Sequence, residues 1–250
     1  IFFYLYQQKD RNNLLIINKK VSSSAGFEAS NLLASLEHEN IVKAHGTSRN
    51  DRHFILVQEY LSGGTLNDKL AFQLNWEEIL RIASQICQAM IFAHNNRIVH
   101  GHLRPTNILF TTDGQVKLTN FSTEDDLTSV ENSQFYRLDG EPRSKASDIY
   151  ATSVILYQFF TGSLPRRSQD TSFVMRKSFT KLPGDIQLLI ANMISTIPEY
   201  REGNSLQRAV ELFRQHIQNK HDKTFTKEGP ERKRKVRDRK ESAADRKSAT

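Results

Sequence analysis

The apolar rhythm of this chain changes at Ser62-Gly63-Gly64, and that change constrains the fold more than any other feature. Before it, apolar residues come in short bursts: IFFYLY and LLII separated by QQKDRNN, then FILVQEYL after a polar turn expected around Ser48–Asp51. Bursts of this length between polar punctuation predict strands. One stretch interrupts them, Ala25–Leu36, where Ala29, Leu32, Leu33 and Leu36 recur at helical spacing. After the glycines the period becomes helical. Asn75 followed by Glu78 reads as a helix start, and Ile79, Ile82, Ile86, Met90 and Ala93 continue as one stripe. NILF and VKLTNF flank the turn Thr112-Asp113-Gly114 as two short strands. Further helices are expected at Asp148–Phe160, Gly184–Ser195 and Ser205–Gln218. A strand-rich first part joined by glycine to a helical remainder predicts an α+β protein of two lobes, the first small and β-rich, the second larger and helical.

Composition narrows the class. A single cysteine, Cys87, excludes a disulfide framework and any multi-cysteine metal centre, and its place in an apolar helical pattern predicts an inert buried thiol. No apolar run approaches the ~18 residues that cross a bilayer, and no signal peptide is visible. A chain that opens on Ile1 is expected to be a piece of a longer one. The net charge of +7 is concentrated at the end: from His221 onward there are 11 Lys/Arg against 6 Asp/Glu, about +5, so the remainder is near neutral. Residues 221–250 carry no periodic apolar face and are expected to be a disordered basic tail or linker. ERKRKVRDRK within it has the composition of a nuclear-localisation or nucleic-acid patch, or of a juxtamembrane linker against an anionic membrane. The interleaved Asp238, Glu241 and Asp245 oppose tight binding to a phosphate backbone.

Six motifs stand in one order: LEHENIVKAHG, FILVQEYLSGGTL, HGHLRPTNILF, VKLTNFS, SDIYATSVILYQFFTG and IPEYR. With them the chain resembles a protein kinase domain over roughly residues 1–218. The resemblance implies a bilobal kinase-like fold, with an N-lobe over 1–61, a C-lobe over 62–220 and the glycine-rich loop upstream or missing. It puts Gln58 at the gatekeeper position, Glu59–Leu61 in the hinge, HGHLRPTNILF in the catalytic loop and Asn120-Phe121-Ser122 where the family has D-F-G. It also implies that Asp148 accepts hydrogen bonds from the His100–Leu103 turn and that His100 packs on Phe121. Arg201 of IPEYR would pair with the Glu of A-P-E, a motif absent as written but with Glu141 of Gly140-Glu141-Pro142 available.

The departures from the family fall on its chemistry. The metal-gripping Asp corresponds to Asn120, a neutral amide where a hard divalent cation favours carboxylate oxygen. Asn107, the second metal ligand, is retained. The Asp that orients the substrate hydroxyl corresponds to His102, the Arg before it to Gly101, and the phosphate-contacting Lys to Arg104. The third-strand lysine falls at Asn18 by an ungapped count, or at Lys19 one residue on; its helical Glu partner falls at Ala29, with Glu28 adjacent. A residual nucleotide pocket would therefore draw on Asn18, Lys19, Gln58, Glu59, Leu61, Asn107 and Asn120. The resulting expectation is a pseudokinase, a non-catalytic signalling scaffold or allosteric domain read by another protein or a neighbouring domain. No resident cofactor is expected, ATP binding is expected to be weak, and magnesium is expected to add nothing. The alternative is an atypical kinase that uses His102. Cytoplasmic placement is expected, or nuclear or juxtamembrane placement through the tail.

Overall fold

The computed structural model describes residues 6–9, 15–21, 37–49, 54–72, 74–121, 133–167, 173–201 and 203–219. The helix expected over Ala25–Leu36, the Glu28/Ala29 position and the 221–250 tail lie outside the described residues, as does Ile1, where the ungapped count ends the glycine-rich loop.

A four-stranded antiparallel sheet is built from β1 (Tyr6–Lys9), β2 (Leu15–Val21), β3 (Ala44–Arg49) and β4 (Phe54–Glu59) in the order β1-β2-β4-β3. β3 includes Ser48 and Arg49, which composition alone assigned to a turn. Their pairing with Ile55 and Phe54 of β4, at the edge of the sheet, outweighs their low intrinsic strand preference.

Gly63 and Gly64 lead from the sheet into the helical lobe. Gly63 N–H donates to the Phe110 carbonyl at 3.0 Å, and a Cβ on Gly63 would sit 2.3 Å from the Thr111 carbonyl oxygen. No side chain fits there, which is why the break is written in glycine. The helical lobe is built around α2 (Trp76–Asn95) and α3 (Lys145–Thr161), after a short α1 (Leu66–Lys69). The Asn75 side chain accepts from Glu78 N–H at 2.9 Å and starts α2 where expected, and Ile82, Ile86, Met90 and Ala93 are buried along its stripe. Helix α3 begins three residues earlier than the sequence indicated, because Ser144 and Ser147 form a reciprocal cap. α4 (Gly184–Met193) and α5 (Ser205–Gln218) close the lobe, with α5 packed along α2 and Phe160 of α3 in contact with Trp76 and Phe213. Cys87 is fully buried, and burial pushes its thiol up to about 12, so it is an inert packing residue.

The hairpin of β5 (Ile108–Phe110) and β6 (Val116–Leu118) carries the loops of interest side by side at its open end, where Ile108 pairs with Leu118. The HENIV segment is laid onto it: Leu118 N–H donates to the Asn40 carbonyl at 2.8 Å and Val42 N–H to the Leu118 carbonyl at 2.9 Å. A small antiparallel lobe and a larger helical lobe thus meet at β6, in the α+β arrangement the sequence implied.

Candidate active site

Asp148 is the anchor of the site. It is 1% exposed and sits in the first turn of α3, where the helix dipole favours a carboxylate. One of its oxygens accepts from His100 N–H at 2.8 Å and lies 2.9 Å from His94 Nε2; the other accepts from Gly101 N–H at 2.8 Å. This is the bonding expected of it. The loop from His100 to Asn107 is therefore fixed from beneath by a buried carboxylate. Gly101 takes φ 72°, a left-handed conformation that favours glycine.

His100 carries the fold's second connection. Its ring lies 4.4 Å from that of Phe121, which is 3% exposed, and its Nδ1 accepts from His102 N–H at 3.3 Å. That bond places the proton of the neutral ring on Nε2. Burial drives the His100 pKa down to about 4, against the opposing pull of Asp148. An unfolded imidazole titrates near 6.5, so as pH falls the unfolded chain takes up its proton first. The stability due to a neutral His100 is complete above about 6.5 and is lost as pH falls through about 4, a loss of about 3 kcal/mol between pH 7 and pH 4. Denaturant melts across that range should show this decline, and a flat profile would remove the burial argument.

Asn107 and Asn120 are brought together, and their orientation decides what they can do. Asn107 Nδ2 donates to the His102 carbonyl at 2.7 Å, which turns its Oδ1 the other way. That Oδ1 accepts from Asn120 Nδ2 at 2.7 Å. Asn120 holds φ 65°, a left-handed conformation that asparagine tolerates better than most side chains. The oxygen that Asn107 would offer a cation is thus taken by an amide proton. Two neutral amides bonded to each other do not fit a magnesium ion, which selects carboxylates and free carbonyl oxygens. Among the described residues, no group of three or more His, Cys, Asp or Glu is placed to share a metal.

His102 is 6% exposed, and its Nε2 has no hydrogen-bond partner. Burial, followed by the charges of Arg143, His100, Arg104 and Arg137, drives its pKa down to about 3. An imidazole that weakly basic is a poor proton acceptor near neutrality. Of the three arginines, only Arg104 was singled out in the sequence. The signal that could have found Arg143 is Gly101: a Cβ there would lie 2.9 Å from Arg143 Cδ, so the glycine makes room for the arginine.

The remaining pocket candidates lie on the small lobe and its exit. Gln58 is 7% exposed on β4. Its neighbour Glu59 is committed elsewhere: the carboxylate accepts from Lys43 N–H at 2.8 Å and pairs with Lys117 of β6 at 2.9 Å. Leu61 is half-buried in the connection. On β2, Asn18 is in register with Val57 and Lys19 with Leu56. Because a strand alternates, Lys19 falls in the same set as Gln58 and Asn18 in the other. Further down, Glu141 pairs with the Arg201 guanidinium, both side chains almost wholly buried. Arg201 also donates to the Ser195 and Ala146 carbonyls at 2.7 and 3.0 Å, so the expected ion pair survives the loss of A-P-E.

Comparison with known proteins bears on the same residues. The protein kinase domain family model matches residues 16–228. Serine/threonine-protein kinase PrkC of Bacillus subtilis is 34% identical over 146 residues, 53% of this chain and 22% of that protein. A probable serine/threonine-protein kinase of Clostridium acetobutylicum is 29% identical over 201 residues, 72% of this chain and 31% of its own length. U-box domain-containing protein 33 of Arabidopsis thaliana is 35% identical over 153 residues, 52% of this chain and 18% of that protein. The chain spans less than a third of each of these relatives. With the family match covering most of its length, and the lobes, catalytic-loop anchor and Glu141–Arg201 pair in place, the chain belongs to the protein kinase domain family.

Proposed function

We propose that this kinase domain is a pseudokinase, a non-catalytic signalling scaffold or allosteric regulatory domain. The observation that supports it best is the amide pair: Asn120 Nδ2 caps the Asn107 oxygen at 2.7 Å where phosphoryl transfer needs a metal-binding carboxylate. The weakly basic His102, in the place of the hydroxyl-orienting Asp, points the same way. Residues 1–61 serve as the N-lobe, 62–220 as the C-lobe and 221–250 as a basic tail or linker. The partner is another protein or a neighbouring domain of a longer chain. Contact of the tail with nucleic acid or an anionic membrane is secondary, given its interleaved acids. Among the described residues no helix is long and apolar enough to cross a membrane. A second reading, a weakly active protein kinase, is favoured by the names of the relatives, by the retained Asn107 and by the positive charge that Arg104 keeps in place of the family's Lys.

Any ATP that binds does so weakly, through the Gln58–Leu61 segment, with Lys19 or Asn18 on the adjacent strand. Thermal shift with ATP, with and without Mg²⁺, tests this. Saturation at ~100 Kd would stabilise the fold by about 2.7 kcal/mol. Mg²⁺ should add nothing to the native chain. Asn120→Asp should lose about 1–3 kcal/mol without metal, because a carboxylate then faces the Asn107 oxygen in place of an N–H donor. The same variant should regain stability with Mg²⁺ and ATP. A large Mg²⁺-dependent shift in the native chain would support the second reading.

A further inference from the structure

The hairpin of β5 and β6 is continued by side chains beyond its last backbone pair. Asn107 directly precedes β5, and Thr119 directly follows β6. Thr119 N–H donates to the Asn107 carbonyl at 3.1 Å, next to the Ile108–Leu118 pair. From there amides take over: Asn120 Nδ2 donates to Asn107 Oδ1, and Asn107 Nδ2 to the His102 carbonyl, each at 2.7 Å. Asn107 N–H donates in turn to the Arg104 carbonyl at 2.9 Å. Every polar group of Asn107, a residue 2% exposed, is thus engaged at this junction. The residue chosen at 120 is informative. Its φ of 65° is met most easily by glycine. A position that had only lost a carboxylate could take glycine; asparagine accepts the backbone strain and supplies an N–H donor. An aspartate there would set one acceptor against another and would need a cation between them.

We propose that this amide chain is a latch: it joins Thr119–Phe121 to the His100–Asn107 loop with hydrogen bonds of the protein's own, so the arrangement that a partner reads is the same with and without magnesium and nucleotide. The two amide bonds are short and lie where little water competes for them. On one side the loop is held by Asp148, and the His100 ring packs on Phe121 at 4.4 Å. On the other, β6 exchanges backbone bonds with Asn40 and Val42, which carries the latch toward the small lobe. A ligand shifts a conformational equilibrium only by its differential affinity for the two states, and a cation finds the Asn107 oxygen already taken. The latch rests on the non-catalytic reading of this site and deepens it by naming what sets its conformation. The two can fail separately. An inert domain whose segment responds to nucleotide would lose the latch alone, and phosphate transfer by a chain whose segment does not respond would lose the reading alone.

Hydrogen–deuterium exchange of the full chain tests the latch, in peptides covering His100–Asn107, Thr119–Phe121 and, as a remote reference, α4. The native chain is compared in EDTA and in Mg²⁺ with ATP. Asn120→Gly is compared in EDTA, because glycine keeps the left-handed backbone and removes only the side chain. Exchange of both segments in the native chain should be the same in the two conditions. Asn120→Gly should speed exchange of both segments at least about fivefold, as expected for loss of one net hydrogen bond, and should leave α4 unchanged. If position 120 served only its backbone turn, glycine would leave the segments as they are. Unchanged exchange in Asn120→Gly, an acceleration that α4 shares equally, or native segments slowed severalfold by Mg²⁺ with ATP overturns the proposal.

Discussion

Asp148→Ala should destabilise the fold by about 3–6 kcal/mol, a large share of the roughly 5–15 kcal/mol that holds an ordinary domain together. The carboxylate is 1% exposed and serves three donors: His100 N–H, Gly101 N–H and His94 Nε2. Alanine leaves all three buried beneath the loop, and each unsatisfied group costs about 1–3 kcal/mol. Asp148→Asn keeps one oxygen acceptor but introduces two N–H donors among these partners, so it should fall between alanine and the native residue. Urea unfolding reads the loss as a shift of the midpoint at constant slope. A loss under about 1 kcal/mol for Asp148→Ala would mean that the loop is held by something other than this carboxylate.

Phe121→Ala should lose about 3–5 kcal/mol, the range for truncating a buried aromatic ring. The ring is 3% exposed and packed at 4.4 Å on that of His100, which is itself bonded into the loop over Asp148. Removing it opens a cavity next in sequence to Asn120, which holds φ 65°. Phe121→Leu keeps most of the volume and should cost less than about 1.5 kcal/mol beyond the lost ring contact. If the two variants lose the same amount, then packing volume is not what the position supplies.

The contacts legible in the sequence are those that the kinase resemblance carries with its motifs. Asp148 could be assigned because its partners are main-chain N–H groups of a loop identified by its own residues. Glu141 could be matched to Arg201 through the resemblance, which pairs that arginine with the Glu of A-P-E and finds a glutamate in Gly140-Glu141-Pro142. The Asn107–Asn120 amide pair was not legible: spacing brings two asparagines to the site, but only the bond to the His102 carbonyl says which way Asn107 turns. The arginines around His102 were missed for a different reason. Arg137 and Arg143 belong to no periodic face and to none of the six motifs. The choice between Asn18 and Lys19 depends on register, which cross-strand pairing with β4 sets and strand composition does not. Ser48 and Arg49 join a strand for the same reason.

Transfer of labelled γ-phosphate from ATP tests non-catalysis most directly. The chain is incubated with itself and with a generic protein substrate, in Mg²⁺ and separately in Mn²⁺, beside His102→Ala. The predicted result is incorporation no greater than in the protein-free blank for both proteins and both metals. Incorporation by the native chain that disappears in a stably folded His102→Ala would contradict it, and would make this domain an enzyme with histidine in the place of the family's acid.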